Sequence, residues 1–171
     1  MMSCLLTIRP AVRADLPDLQ PVIQRAYRGD SARRGWTHEA DLLDDVRIDL
    51  ASLEKIVDDP ATRLLVALDG ETPIGCVQVS GKGDGLAYLG LLCVEPETQA
   101  GGLGRRLLEA AESCARDVFH ATTMEMTVIE QRAELIAYYE RRGYDRSGER
   151  RDFPVAVEPP LFMTVLVKRL A

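Results

Sequence analysis

Histidine is almost missing from this chain. His38 and His120 are the only two among 171 residues, so a His-based triad or a histidine-rich zinc site has little to draw on. No C-x-x-C pair occurs. Cys4, Cys76, Cys93 and Cys114 stand singly inside apolar patterns, which reads as small buried hydrophobes in a reducing compartment and not as a metal centre. No apolar run approaches the roughly 20 residues of a membrane helix. The start, "MMSCLLTIRP", lacks the basic residues and long apolar core of a signal peptide. A surplus of positive charge is missing too: the net charge is −6, which argues against nucleic acid or an anionic membrane as the main partner. Together these absences predict a cytoplasmic protein with no metal, no nucleic-acid partner and no membrane partner.

What is present is ordinary in amount and informative in order. Hydrophobic residues make up 46% and charged residues 28%, and the length suits one domain over residues 1–171. "TIRPAV" reads as a first strand. "RADLPDLQPVIQRAY" reads as a helix with Leu16, Leu19, Ile23 and Tyr27 on one stripe and Asp15 as its N-cap. Pro21 removes a backbone bond, so a start later than Asp15 is expected. "RGDSARRGW" is loop-like, and "THEADLLDDV" and "DLASLEKIVDD" read as short helices opened by Thr37 and Asp49. "RLLVAL", "PIGCVQV" and "LAYLGLLCV" are three strands joined by hairpins, through Asp69-Gly70 and the glycine-rich "SGKGDG". A helix follows from about Gly102 to Val118, with Leu103, Leu107, Ala110 or Ala111, Cys114 and Val118 at helical spacing. "TMEMTVI" is a strand, "RAELIAYYERR" a helix ended by Gly143, and "LFMTVLVKRL" a final strand. The order predicts a mixed α/β (α+β) fold.

Just before the long helix, "ETQAGGLGRRLLEAA" places Gly101, Gly102 and Gly104 where glycine is conformationally costly. Known phosphate cradles can be tested against it. The Walker pattern G-x-x-x-x-G-K-S/T is absent, and a Rossmann fingerprint would need glycine where Leu107 stands. What remains is Gln99-x-x-Gly102-x-Gly104 between a strand and a helix, whose amides would meet a pyrophosphate at the positive end of the helix dipole.

With "YYERRGY" downstream, this stretch resembles the acetyl-CoA-dependent N-acetyltransferase superfamily known as GNAT. The family motif Arg/Gln-x-x-Gly-x-Gly/Ala is matched by Gln99, Gly102 and Gly104. A second, aromatic-Tyr-x-x-x-Gly-aromatic, is matched by Tyr138, Tyr139, Gly143 and Tyr144. "TIRPAVRADLPDL" is similar to the family's first strand and helix, so the likeness covers nearly the whole chain. It implies a central, mostly antiparallel sheet with splayed fourth and fifth strands, commonly with a bulge, and helices on both faces. It also implies acetyl-CoA as co-substrate. Leu92, Cys93 and Val94 would pair with the pantetheine arm as an added strand, and the amides of Gln99, Ala100, Gly101, Gly102, Leu103, Gly104 and Arg105 would hold the pyrophosphate. Arg132 stands where many members carry an asparagine against CoA.

The resemblance implies further that an amine of a small molecule attacks the thioester directly in a ternary complex, and it allows a homodimer. Tyr139 matches the tyrosine that protonates the departing thiolate; Tyr138 fits the core-aromatic pattern of the same helix about equally well. The base that deprotonates the amine is open among Glu39, Glu130, Tyr88 and His38, with Tyr88 standing where histone-type members place a glutamate. The acceptor cleft is expected to take in "GWTHEADLLDDVRID", where Trp36 and Glu39 could hold an ammonium group, alongside Tyr88. Two other functions share these motifs: a protein or peptide N-acetyltransferase, and a non-catalytic acyl-CoA-binding regulatory domain.

Overall fold

The computed structural model describes residues 6–33, 48–95, 102–153 and 158–170. Their strands form a seven-stranded sheet in the order β1-β2-β3-β4-β5-β7-β6. β1 (Leu6–Pro10), β2 (Thr62–Asp69), β3 (Thr72–Gly83) and β4 (Leu86–Val94) make one antiparallel block. β5 (Thr123–Ile129), β6 (Asp145–Asp152) and β7 (Phe162–Arg169) make another. The blocks meet through parallel pairing of Leu86, Ala87 and Tyr88 with Thr123, Met124 and Glu125. Past Tyr88 the two central strands diverge, as the mostly antiparallel, splayed sheet requires. Among the described residues no helix is long and apolar enough to cross a membrane.

Helices cover both faces. α1 (Leu16–Arg33) and α2 (Leu50–Asp58) pack Leu16, Leu19, Ile23 and Leu53 against Leu64, Val66, Leu68 and Cys76. On the other face, α3 (Leu103–Asp117) and α4 (Ala133–Glu140) pack against Leu65, Ala67, Val77, Val79, Ala87 and Leu89. The buried stripe of α3 is Leu103, Leu107, Leu108, Ala111 and Ala115, each large side chain contributing about 1.5–3 kcal/mol of burial. Val118 lies past the helix end and is exposed; Cys114 is half-buried, and burial pushes its thiol up.

Several local expectations change. α1 starts one residue after Asp15 and carries Pro21 inside, and it runs through "RGDSAR", which reads as a loop in sequence. Once a helix is nucleated, each further residue adds a backbone bond, and this outweighs weak local propensity. Asp15 closes the preceding 3-10 turn instead of capping α1: it accepts from the Val12 amide at 2.8 Å and from Arg9 at 2.8 and 2.9 Å. The Arg9 guanidinium holds its carboxyl below the usual range. β3 continues through Gly83, so the hairpin turn is Asp84-Gly85, both at positive φ (54° and 79°), the conformation that matches strand twist. β6 has no hydrophobic signal at all: seven of its eight residues are exposed, and it is held by pairing with β7 and by the ion pairs of Arg150 and Arg151. The helix expected at "THEADLLDDV" lies outside the described residues.

Candidate active site

Among the described residues the long helix begins without a side-chain cap. Gly102, its N-cap, sits at φ 75°, ψ 15°, makes no side-chain cap bond, and is followed by no acidic residue in the first turn. The first intrahelical bond runs from the Arg106 amide to the Gly102 carbonyl at 3.2 Å. The amides of Leu103, Gly104 and Arg105 therefore have no carbonyl within the helix. The two glycines differ in what requires them. Gly102 occupies the left-handed region that a β-carbon disfavours, and a β-carbon there would meet nothing within 4 Å. At Gly104 a β-carbon would meet Tyr138 Oη at 3.6 Å and Val94 Cγ2 at 3.9 Å, ordinary contacts. Alanine would favour the helix at that position by about 1 kcal/mol, so the described protein atoms give no reason for glycine there.

The open helix start lies next to the end of β4, where the strand is bulged. Cys76 faces Cys93 across the β3–β4 ladder, but Gln78 faces Gly90, so Leu91 and Leu92 oppose one residue of β3. Leu91 takes φ 53°, a costly conformation for a branched side chain, and its carbonyl accepts from Cys76 Sγ at 3.4 Å. The extra residue switches the faces. Ala87 and Leu89 pack on the α3 side before it; Leu92 and Val94 do so after it, while Cys93 turns to α1. The contact with Cys93, then burial, pushes the Cys76 thiol well up, and both side chains pack among the buried apolar residues of the α1 face. Beyond Tyr88 the β5-facing edge of β4 has no strand partner among the described residues.

α4 supplies the tyrosines. Tyr138 is half-buried, with its hydroxyl toward Gly104 and the Arg142 guanidinium carbon 3.6 Å from its ring centroid. Tyr139 is 6% exposed, its ring edge-on to Tyr138 (centroids 5.4 Å) and to Tyr144 (6.0 Å). Behind them, buried Glu112 of α3 accepts from Tyr144 Oη at 3.0 Å and from Lys168 Nζ at 2.9 Å. Burial, then the Glu112 carboxylate, pushes the Tyr144 phenol far above its ordinary value. Arg132 is the half-buried N-cap of α4.

On the α1 face, where β4 and β5 part, an open cleft of about 390 Å³ is lined by Lys82, Leu86, Tyr88, Glu125, Thr127, Arg151 and Met163. Tyr88 Oη and Thr127 Oγ1 are 2.7 Å apart across the gap. Arg151 Nη1 donates to Glu125 at 2.9 Å, and its Nε donates to Glu149. Of the sequence-derived positions, Tyr88 is in this cleft; Leu92, Cys93, Val94, Gly102, Leu103, Gly104 and Arg105 gather at the strand end and helix start. Glu130 is held in a two-pronged bond by Arg150 at 2.7 and 3.0 Å on the exposed edge. Trp36, His38, Glu39, Gln99, Ala100 and Gly101 lie outside the described residues. Lys82, Glu125, Thr127 and Arg151 were not singled out in the sequence, for they come from β3, β5 and β6 and no motif links them.

The comparisons with known proteins bear on this geometry. The fold is similar to that of the PaiA N-acetyltransferase from Thermoplasma acidophilum in complex with coenzyme A, with a TM-score of 0.78 and 18% identity over 98% of this chain and 99% of that one. It is similar also to a spermidine N-acetyltransferase chimera from Vibrio cholerae and hSSAT (TM-score 0.74, 18% identity, 96% and 95% covered). A ribosomal-protein alanine N-acetyltransferase from Escherichia coli stands equally near (TM-score 0.74, 18% identity, 98% and 95% covered). At such identities the likeness speaks of the fold alone, and no curated protein sequence matches. The model of the Acetyltransferase (GNAT) family, however, matches residues 22–144, which takes in β2 to β5, α3, α4 and both glycine motifs: the chain belongs to the GNAT acetyltransferase family.

Proposed function

We propose that this protein is an N-acetyltransferase that moves an acetyl group from acetyl-CoA to the primary amine of a small molecule. The observation that carries the reading is the start of α3, which among the described residues has no cap and no acid in its first turn, together with a glycine at 104 that its described neighbours do not require. An anionic pyrophosphate fits free amides at a helix N-terminus, and the unpaired edge of Leu92, Cys93 and Val94 fits an amide-bearing arm laid on as a strand. Gln99, Ala100, Gly101, Gly102, Leu103, Gly104 and Arg105 would hold the phosphates, and Arg132 would contact CoA from α4. Acetyl-CoA supplies an activated thioester, whose C–S bond breaks as the N–C bond to the acceptor forms.

The chain's residues then handle protons and position. An alkylammonium with pKa near 10.4 must lose a proton before it can attack. Of the four base candidates, Tyr88 is the one in the described cleft, and Trp36 and Glu39 would complete the acceptor's surroundings. Tyr139 gives its phenolic proton to the leaving sulfur, a role worth about 10²- to 10⁴-fold in rate. A second reading gives this role to Tyr138, whose hydroxyl faces Gly104. An acetyl-CoA consumption screen over amines, amino acids, polyamines and peptides tests the function, with CoA binding followed by calorimetry. Turnover with small amines is expected. Turnover with peptides alone would make the protein a peptide acetyltransferase, and CoA binding without any turnover would make it a regulatory acyl-CoA-binding domain.

A further inference from the structure

We propose that the acceptor carries an anionic group of carboxylate type beside its amine, and that Lys82 recognises that group. This rests on the acetyl-transfer reading above and assigns the acceptor its chemical class. Three charged side chains line the cleft: Lys82, Arg151 and Glu125. Glu125 is largely covered and is neutralised by Arg151 at 2.9 Å, while Arg151 is shared with Glu149. Lys82 makes no ion pair among the described residues; its ammonium stands 5.8 Å from the centroid of the Tyr88 ring. Lys82 is therefore the charged side chain of the lining that has no counter-ion among the described residues.

The other end of the cleft suits an amine. One of the Tyr88 and Thr127 hydroxyls donates to the other across 2.7 Å, and each oxygen keeps a lone pair that can accept from an N–H. The pair sits at the gap between β4 and β5, and Leu86 and Met163 provide apolar wall. A volume of about 390 Å³ is the size of a small-molecule site. An amine on the hydroxyl pair leaves Lys82, across the Tyr88 ring, within one small molecule's reach for a carboxylate. A diamine laid the same way would put its second ammonium against the Lys82 ammonium. Glu39, which favours a cationic acceptor from the sequence, lies outside the described residues, and the unpaired charge in the described cleft has the opposite sign.

The test compares three forms of one acceptor, an α-amino acid, its amide and its decarboxylated amine, for a set of side chains, with diamines alongside. Thiol release from acetyl-CoA is the readout. The carboxylate form is expected to exceed the other two by about 10-fold or more in kcat/KM, the value of one charge-assisted contact. In Lys82→Gln, whose fold is checked by its Tm, that ratio should collapse toward one. Equal turnover of the three forms, a preference for diamines, or an unchanged ratio in Lys82→Gln overturns the proposal. Where none of the compounds is turned over, the amino acids are titrated calorimetrically into protein saturated with CoA. Binding that weakens in Lys82→Gln supports the proposal, and no binding or equal binding refutes it. A protein that fails to bind CoA strikes the acetyl-transfer reading itself, whereas one that acetylates amines without regard to the carboxylate strikes only this inference.

Discussion

Two helices of this protein begin in opposite ways. α2 opens on Asp49, whose carboxylate accepts from the Ser52 amide at 2.7 Å, so a donor that the helix leaves over is satisfied by the chain. α3 opens on Gly102, with no side-chain cap and no acid in its first turn, although it is the longer and more deeply packed of the two. A self-contained helix start would more often place Ser, Thr, Asp or Asn on extended backbone, an advantage over glycine of roughly a few tenths of a kcal/mol; Gly102 is left-handed instead. The first helix is closed by its own residue, whereas under the proposed function the second keeps its first amides for the pyrophosphate of acetyl-CoA.

The largest effects should appear where the open helix start meets chemistry. Tyr139→Phe keeps the ring between Tyr138 and Tyr144 and deletes the hydroxyl alone. A fall in kcat of about 10²- to 10⁴-fold is expected with CoA affinity little changed. Tyr138→Phe should change kcat by no more than a few-fold. Steady-state kinetics of both variants, at a pH where chemistry limits turnover, decide between the tyrosines: the reverse order gives the proton to Tyr138, and two small effects leave both as packing.

Next comes the contrast between the start of α3 and its middle. The start is open, whereas Glu112 in the middle ties Tyr144 and Lys168 to the helix. Glu112→Ala leaves a buried hydroxyl and a half-buried ammonium without their acceptor, at a cost of about 2–3 kcal/mol, read as a lower urea midpoint. The same cluster sets an alkaline limit. The Tyr144 phenol is pushed far up in the folded protein by burial and by Glu112, while in the unfolded chain it titrates near 10. The folded state thus holds more protons above that pH, and stability should fall as pH rises past about 10. Tyr144→Phe should flatten that slope in thermal melts taken against pH.

How far the sequence carries this contrast depends on the kind of signal. β4 and β5 coincide with their expected spans because they alternate or run apolar between turn residues. β6, "DRSGERRD", has no such signal; it exists through β7 and the ion pairs of Arg150 and Arg151. The glycine motif was legible since it is local, a strand, a turn and a helix in one stretch. The cleft was not, because Lys82, Thr127 and Arg151 meet only after three strands are laid side by side. Nor could periodicity say which tyrosine of "YYERRGY" faces the glycines; that depends on how α4 is set against α3.

Gly104→Val presses the comparison at the open end. The described neighbours of Gly104 leave space for a β-carbon, so the Tm should change by only a few degrees, while CoA affinity falls about 10- to 100-fold, the equivalent of one or two charge-assisted contacts. Gly102→Val is a poorer probe. Its φ of 75° strains any side chain by roughly 1–2 kcal/mol, so a loss of affinity there would mix conformation with obstruction. Calorimetry on folded Gly104→Val that returned wild-type CoA affinity would count against the cradle.

The smallest effect is expected at the closed end, and it should leave CoA untouched. The Ser52 hydroxyl and then its amide, both bonded to Asp49, hold the Asp49 carboxyl below its ordinary value. Because the folded pKa is the lower one, the contribution is present above the unfolded value of about 3.9 and is lost as pH falls through the folded value. Asp49→Ala should lower the Tm by about 2–4 °C at neutral pH, and Asp49→Asn, which keeps an acceptor at the cap, by less. The gap between wild type and Asp49→Asn should close in melts taken below pH 3, where the wild-type carboxyl is protonated as well. Neither variant should alter the CoA dissociation constant, because this helix spends its free donors within the chain. A CoA affinity that moved with Asp49 as it moves with Gly104 would mean that the two helix starts are not the opposites they look.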